Sequence, residues 1–432
     1  MTTTTKDRAL QSVLFSAAAD CRTLARRGVE RLRPLALVLA IVAGVGLAGR
    51  HLGWIDAYPD SWIVPLKDWI SAAMAWLLHE CNLGLFTFKE MTRSISWLIS
   101  WPLKGAQGLL YQGIDLSILG GSWRLPHLPW AAVIGIGALL GLSLQGWRLA
   151  AMTAGGLLYL VLFGQWESAM ETLASVIIAV PLGALLGMVL GIISARTKTA
   201  EAAIRPVLDL MQTVPIFAYL VPILFLFGFG PVSAMIGTII YAAPPMVRCT
   251  LMGLRSVPPD VVESGLVSGC SRRQMLFKIF LPSALPEIMV GLNQVIMLSL
   301  NMVIIASMIG AGGLGYDVLN ALRQLKIGRG LEAGLSIVVL AVILDRLSQA
   351  AARKSKMRER GIGWTRHKSL AAATAVIILT GGASVLWDGF YVYPESWSVT
   401  TAPFWEGAMT WINLHFYDFF YGLRNLLLIY IL

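Results

Sequence analysis

Long apolar runs separated by short polar loops dominate the chain. Each run approaches the roughly 20 residues that a helix needs to cross the hydrocarbon core of a bilayer. The pattern predicts membrane helices over residues 34–50, 130–147, 149–164, 168–195, 206–228, 231–251, 283–309, 332–351 and 369–387. The fold class that follows is an all-α polytopic membrane protein.

Residues 51–128 do not form a simple span. Within 62–80, Trp62, Trp69 and Trp76 recur every seven residues and therefore share one helix face. Because tryptophan favours the membrane–water interface, we expect an amphipathic helix lying on the outer leaflet. Residues 84–112 are apolar but interrupted by charges, which is compatible with a re-entrant element, a second interfacial helix or part of an ordinary periplasmic domain.

Basic residues collect in loops on one predicted side of the membrane. Only 13% of residues are charged, against about 25% in soluble proteins, and mean hydropathy is +0.70. The strong basic clusters lie in the arm 1–33 and in the loops that follow residues 195, 251 and 351, with 323–329 as a weak exception. The positive-inside rule places them, and the N-terminus, in the cytoplasm. The net charge of +10 therefore indicates topology and does not indicate nucleic-acid binding.

No pattern typical of an enzyme stands out. The four cysteines have no C-x-x-C spacing, and the five histidines have no spacing typical of metal ligands. Gly310, Gly312 and Gly315 fit G-x-G-x-x-G, but a predicted membrane helix precedes them where a dinucleotide site needs a strand. The chain contains no G-x-x-x-x-G-K-[ST] motif. We therefore expect no bound metal or cofactor and no nucleotide on this polypeptide.

The loop between the sixth and seventh predicted spans carries the strongest signal. It reads ESGLVSGCSRRQMLFKIFLP from Glu263 to Pro282. This spacing resembles the coupling loop of bacterial ABC importer permeases, in which EAA, three residues, G, nine residues and I-x-L-P follow one another. The matching positions are Glu263, Ser264, Gly265, Gly269, Ile279, Leu281 and Pro282. The resemblance implies that the loop docks on a cytoplasmic ATPase, which would hold ATP and Mg²⁺.

Physical expectations accompany that resemblance. Glu263 is expected at the start of a short loop helix, where a carboxylate favours the positive end of the helix dipole, and Pro282 is expected to end that helix. The glycines remove side chains, so that another backbone can approach. Arg272 and Arg273 either pair with acidic residues of the partner or reflect topology alone.

A wider resemblance covers roughly residues 54–352. The stretches 58–62, 204–230, 271–282 and 291–315 resemble permeases of bacterial importers for glycine betaine, proline betaine and choline. This family resemblance implies a MetI-like helical bundle in the inner membrane, with extra N-terminal membrane or interfacial helices. It also implies cytoplasmic ATPase subunits and a periplasmic substrate-binding protein, which in this family usually recognises the substrate in an aromatic cage.

Polar side chains recur on single faces of two predicted spans. Gln294 and Asn301 lie seven residues apart with Asn293 beside them, and the second set is Asp209, Gln212 and Thr213. Because polar groups are costly in a bilayer, they need a partner or water. Two interpretations stay open: these side chains line a translocation path, or they hydrogen-bond neighbouring helices.

The chain also repeats itself. Residues 58–93 recur in 393–424, which suggests one permease unit followed by the opening of a second, or a short C-terminal hairpin. The predicted organisation is a cytoplasmic arm (1–33), a membrane and periplasmic region (34–128), a permease core (129–352) that includes the coupling loop (252–282), a basic linker (353–368) and a partial repeat (369–432). A second permease unit would come from another copy or from a longer chain.

The predicted function is the permease subunit of an ATP-driven importer for quaternary ammonium solutes such as glycine betaine, proline betaine or choline. One alternative is a permease for trimethylamine N-oxide, proline or another amino acid. Others are an ion-coupled carrier, which would need a charged relay in mid-membrane, and an inert membrane scaffold.

Overall fold

The computed structural model describes residues 38, 44, 64–81, 87–118, 121–358, 375, 376, 380, 393, 394 and 397–431. The chain divides into two units, residues 1–76 and 77–432. The helices of the described part are α1 (Leu66–His79), α2 (Phe88–Gln107), α3 (Trp130–Gln145), α4 (Trp147–Leu162), α5 (Trp166–Arg196), α6 (Lys198–Thr213), α7 (Ile216–Phe227), α8 (Pro231–Arg255), α9 (Pro259–Val267), α10 (Arg272–Gln274), α11 (Leu281–Ser307), α12 (Gly313–Arg323), α13 (Ile327–Arg358) and α14 (Ala402–Ile431).

Four helices of the described part are long and apolar enough to cross a membrane. They are α5, α8, the continuous helix Arg272–Ser307 and the part of α13 up to Lys354. The predicted spans 130–147 and 149–164 appear as α3 and α4, but each has 16 residues. At 1.5 Å per residue each is about 24 Å long, which is shorter than the roughly 30 Å bilayer core. The predicted spans 34–50 and 369–387 lie outside the described residues, apart from a few positions.

The predicted span 206–228 is wrong as a straight helix, because α6 and α7 meet at an angle of 104°. Pro215 lacks the N–H that would bond to the Met211 carbonyl, and it holds Val214 in an extended conformation (ψ 132°). The hydroxyl of Tyr219 donates to the carbonyls of Met211 and Val214, the latter at 2.8 Å. This side chain satisfies backbone groups that the bend leaves without helical partners.

The core forms where α8 packs between α5 and α11. Gly183, Gly187 and Gly191 follow one another at four-residue spacing on α5 and face α8. A Cβ atom at Gly187 would lie 2.6 Å from the Met246 Cβ and 2.8 Å from the Ala243 carbonyl oxygen. Small residues at this spacing allow two membrane helices to approach closely.

The segment that the sequence left undecided, 84–112, is mainly the helix α2. It begins with a capping box in which Thr87 and Glu90 bond to each other's backbone N–H groups. A π-helical turn (Gly108–Gln112) follows, and then an antiparallel hairpin of β1 (Ile114–Ile118) and β2 (Gly121–Leu125). This hairpin is the one addition to the otherwise helical architecture of the described residues.

Two glycine-rich turns meet beyond the ends of the core helices. The Gly230 N–H, between α7 and α8, donates to the Ile309 carbonyl oxygen at 3.0 Å. Glu171 of α5 accepts from the Gly313 N–H at 2.7 Å, and the Thr172 hydroxyl accepts from the Leu314 N–H at 3.0 Å. These two side chains cap the N-terminus of α12. The G-x-G-x-x-G stretch thus forms the turn after α11 and the start of α12. The element that precedes it is a helix, as the sequence predicted.

The residues that lead into α14 contact α13 through Glu332, which is 6% exposed. Its carboxylate accepts from the hydroxyls of Thr400 and Thr401 and from the N–H groups that begin α14. Helix α14 is kinked at Phe416. The kink lies between Asn413 and Phe419, two of the residues that the sequence repeat matches.

Candidate functional site

The predicted coupling loop folds as two helical segments joined by a tight turn. Helix α9 ends in a Schellman motif, in which the Gly269 N–H bonds to the Leu266 carbonyl at 3.0 Å and the Cys270 N–H bonds to the Gly265 carbonyl at 3.1 Å. Ser271 then caps the next segment, and its backbone N–H donates to Gln274 Oε1 at 2.8 Å. Because α9 ends in one capping motif and the next helical segment begins with another, the turn between them has a defined shape.

Two expectations about the loop are corrected. Glu263 is the fifth of the nine residues of α9 and does not lie in the first turn, where Asp260 stands. Pro282 does not end a loop helix, because a helix runs without interruption from Arg272 through the π-helical turn Met275–Phe280 into α11. Pro282 lies in the first turn of α11, and Leu281 is its first residue.

The two loop glycines serve different physical needs. Gly265 is buried, and a Cβ atom there would lie 2.1 Å from Ile279 Cδ1 and 2.8 Å from Met275 Sδ. Gly265 therefore permits α9 to pack on the π-helical turn. Gly269 has φ +71°, and a Cβ atom placed there would meet no atom within 4 Å, so the position requires glycine for its left-handed backbone and not for space. Another backbone was predicted to approach both glycines, but the atoms nearest Gly265 belong to the side chains of Ile279 and Met275, and no atom of the described residues approaches Gly269.

The surface of the loop combines apolar and polar groups. Val267 is 89% exposed, Leu266 62% and Phe277 65%. Glu263, Ser264, Arg272 and Arg273 are also exposed. In a loop predicted to lie in the cytoplasm, exposed apolar side chains of this size are candidates for a contact with a partner.

Ion pairs tie α8 to α6 next to the loop. Arg255 forms a bidentate pair with Glu201, with Nη1 2.9 Å from Oε1. Arg248 Nη2 lies 2.6 Å from Asp209 Oδ1. Asp209 was a candidate for the translocation path, and the structure places it in this interhelical pair.

A cavity of about 410 Å³ lies between α6, α8 and α11, and we call it the α6–α8–α11 cavity. It brings together three of the predicted path residues from two different helices, namely Gln212, Asn293 and Gln294. Asn293 Oδ1 is buried and has no hydrogen-bond partner among the described residues. The lining residues are Met211, Gln212, Tyr241, Pro245, Asn293, Gln294, Met297 and Leu298.

Two other predicted path residues lie outside this lining. The Thr213 hydroxyl donates to the Leu210 carbonyl at 3.1 Å, within its own helix. Asn301 is exposed on α11. The sequence did not single out Tyr241, Met211 and Met297, because these residues lie inside apolar runs. A tyrosine in the middle of a predicted span was the one local feature that could have indicated Tyr241.

The family model described as "Binding-protein-dependent transport system inner membrane component" matches residues 187–357. This range includes the predicted coupling loop and every residue of the cavity lining. The match agrees with the predictions of an all-α permease fold and of a transport component that is not an enzyme.

Curated relatives extend the match over most of the chain. The glycine betaine/proline betaine permease ProW of Escherichia coli is 39% identical over 309 residues, which cover 72% of this chain and 81% of ProW. The glycine betaine permease OpuAB of Bacillus subtilis is 42% identical over 62% of this chain and 94% of OpuAB. The trimethylamine N-oxide permease TmoV of Ruegeria pomeroyi is 38% identical over 77% of this chain and 49% of TmoV. The chain thus spans about half the length of TmoV.

Among solved structures, the inward-facing MetNI methionine ABC transporter aligns at 22% identity and a TM-score of 0.37, over 43% of this chain and 90% of that chain. The ProW and OpuAB matches confirm the sequence resemblance to glycine betaine permeases. Together with the membrane-length helices, they show a multi-pass protein that belongs to the family of inner membrane components of binding-protein-dependent transport systems.

Proposed function

We propose that the chain forms the translocation path of an ATP-driven importer for small solutes with a methylated ammonium group, with glycine betaine as the first candidate. The names of ProW and OpuAB support this solute class. The observation that carries the proposal is that α8 and α11 connect an exposed loop at one end with a cavity lined by amides further along. A permease needs both a contact for its ATPase and a path for its solute.

The loop is the proposed ATPase contact. Its exposed apolar side chains, Leu266 and Val267, fit a hydrophobic cleft of a partner. Glu263 and Ser264 lie on the same short helix, and the basic side chains of Arg272 and Arg273 follow the turn, where they can pair with acidic groups. Ile279, Leu281 and Pro282 connect this contact to α11, so that a rigid push on α9 reaches a core helix directly.

The loop and the N-terminus are assigned to the cytoplasm, as the distribution of basic residues favours. The substrate-binding protein then meets the opposite face, and ATP and Mg²⁺ remain on the ATPase. A second permease unit, from another copy or from a longer chain, completes the path. We propose the same domain boundaries as those predicted from the sequence.

Trimethylamine N-oxide is the second candidate solute. TmoV of Ruegeria pomeroyi and TmoV of Pelagibacter ubique are 38% and 34% identical to this chain. Glycine betaine and trimethylamine N-oxide share a methylated nitrogen with an anionic oxygen group. The same cavity therefore suits both, and uptake measurements must distinguish them.

The decisive experiment is reconstitution in proteoliposomes with the ATPase and the substrate-binding protein. ATP enclosed on the ATPase side should drive uptake of labelled glycine betaine or trimethylamine N-oxide only when the binding protein is present. Choline and proline are the comparison solutes. Uptake that follows an ion gradient without ATP would replace the proposal with an ion-coupled carrier, and the absence of any ATP-driven uptake would reject it.

Cysteine labelling separates a path from a packing role for the amides. With the native cysteines replaced, Gln294→Cys should react with a water-soluble maleimide in at least one state of the transport cycle. Protection in the nucleotide-free, ATP-bound and binding-protein-bound states alike would contradict the path role of Gln294.

A further inference from the structure

The side chains that line the α6–α8–α11 cavity form a chemically selective set. They comprise one aromatic ring (Tyr241), two thioethers (Met211, Met297) and three amides (Gln212, Asn293, Gln294), and none of the lining side chains carries a charge at neutral pH. We propose that this cavity is itself a selective station for zwitterions that carry a methylated ammonium group, with Tyr241 as the residue that determines specificity. The inference rests on the proposed function and adds a second point of selection beyond the binding protein.

The neutral lining favours a solute without net charge. A net cation would find no carboxylate among the lining side chains to balance its charge. The nearby carboxylate of Asp209 is already paired with Arg248. A zwitterion brings its own counter-charge, whereas choline does not.

Tyr241 and the methionines suit the methylated end. A quaternary ammonium cannot donate hydrogen bonds, and an aromatic face attracts it through the ring quadrupole. The thioethers of Met211 and Met297 are polarisable and adapt to the shape of a small ligand. Tyr241 is the one aromatic residue of the lining.

The amides suit the anionic end. Each amide NH₂ group offers two donors, which a carboxylate or an N-oxide oxygen accepts. The unpartnered Oδ1 of Asn293 is unusual, because buried polar atoms are nearly always paired. As an acceptor, this oxygen pairs with a donor such as water and not with the anionic end of the solute, which the amide NH₂ groups are proposed to contact. At about 30 Å³ per water, a cavity of 410 Å³ has room for roughly a dozen waters, or for a small solute with part of its hydration shell.

The test measures solute binding to the permease–ATPase complex in nanodiscs without the binding protein. Saturation-transfer difference NMR on the N-methyl protons detects such weak binding. Glycine betaine and trimethylamine N-oxide should bind saturably, and choline should bind at least several-fold more weakly. The carbon isostere of betaine, 3,3-dimethylbutyrate, should also bind more weakly, because it keeps the shape and the carboxylate but lacks the ammonium charge.

Variants assign the effect to the ring. Tyr241→Leu should weaken glycine betaine binding about twofold to thirtyfold, the range of a cation–π contact. Tyr241→Phe, which keeps the ring, should stay within about twofold. Tyr316→Leu is the matched control, since Tyr316 is an exposed tyrosine on α12 that does not line the cavity.

Three results overturn the inference: choline binding as tight as that of glycine betaine, equal binding of the carbon isostere, or unchanged binding in Tyr241→Leu. The first two use the unaltered chain and stand even if the Tyr241 variants do not fold. Normal ATP-driven uptake by the unaltered chain, together with no saturable binding in nanodiscs, rejects this inference alone. The absence of ATP-driven uptake rejects the proposed function.

Discussion

Substitution of Gly269 tests the proposed coupling role of the loop, because it changes the backbone without creating a clash. For most L-residues, the left-handed conformation at φ +71° costs about 1–2 kcal/mol. A Cβ atom at this position meets no atom within 4 Å, so the cost of Gly269→Ala is that of the backbone alone. At about 1.4 kcal/mol per factor of ten, the native turn should lose about fivefold to thirtyfold in population relative to competing loop conformations.

Three substitutions at Gly269 separate backbone strain from bulk. Gly269→Asn should keep the ratio of uptake to ATP hydrolysis near that of the unaltered chain, because asparagine adopts the left-handed conformation readily. Gly269→Ala should lower this ratio, and Gly269→Trp, which adds bulk on the exposed surface, should lower it most. The two rates are measured on the same proteoliposomes, with the thermal unfolding temperature as the check on folding.

Gly146 is the matched control for this series. It also has positive φ (+96°) and no atom near its Cβ position, but it lies in the turn between α3 and α4. Gly146→Trp should leave the ratio of uptake to ATP hydrolysis unchanged. Unchanged uptake in Gly269→Trp, or an equal loss of coupling in Gly146→Trp, would refute the reasoning.

Three further predictions concern stability, each read from thermal unfolding of the purified chain. Gly187→Val should destabilise the folded chain by about 1–3 kcal/mol through overpacking against α8. Gly155→Val should cost less, because no atom lies near the Cβ position of Gly155. Equal losses of stability in the two variants would contradict the close packing at Gly187. Tyr219→Phe should cost about 1–3 kcal/mol, because the carbonyls at the bend lose their donor, while the exposed Tyr316→Phe should cost little. Burial raises the pKa of Asp317, so ionisation of its carboxyl group opposes folding as the pH rises above the unfolded-state pKa of about 3.9. Asp317→Asn should therefore raise the unfolding temperature at neutral pH and have little effect at a pH below about 3.9. An equal gain in unfolding temperature at both pH values would exclude titration as the cause.

Apolar runs predicted the position of the long helices closely. The run 168–195 corresponds to Trp166–Arg196, and the run 231–251 corresponds to Pro231–Arg255. The same method failed at 206–228, because mean hydropathy does not register a change of direction inside an apolar stretch. The local signal was Val214–Pro215, since the residue before a proline tends to leave the helical conformation.

Tertiary contacts explain what the sequence could not show about the site. Gly265 and Gly269 look alike in a motif, but only the fold shows that Ile279 occupies the space beside Gly265. Asp209 looks like a path residue until Arg248, 39 positions later, is placed against it. The spacing of Gln294 and Asn301 predicts a shared face, yet it does not tell which end of that face borders a cavity.

The packing of α8 against α11 gives the proposed coupling a short physical route. A Cβ atom at Gly253 of α8 would lie 2.9 Å from the Cβ of Glu287 on α11, and a Cβ atom at Gly291 of α11 would lie 2.9 Å from the Cβ of Cys249 on α8. The two helices are therefore in close contact at two positions along their length. Tyr241 stands 14 residues before Arg255 on α8, about 21 Å along the helix axis. Because close-packed helices move as rigid bodies over small displacements, a push that the ATPase applies at α9 would reach the cavity through this pair. Closure at the loop would then displace Tyr241 and the amides of α11 together with the two helices that carry them, and so bring the motion to the proposed solute station.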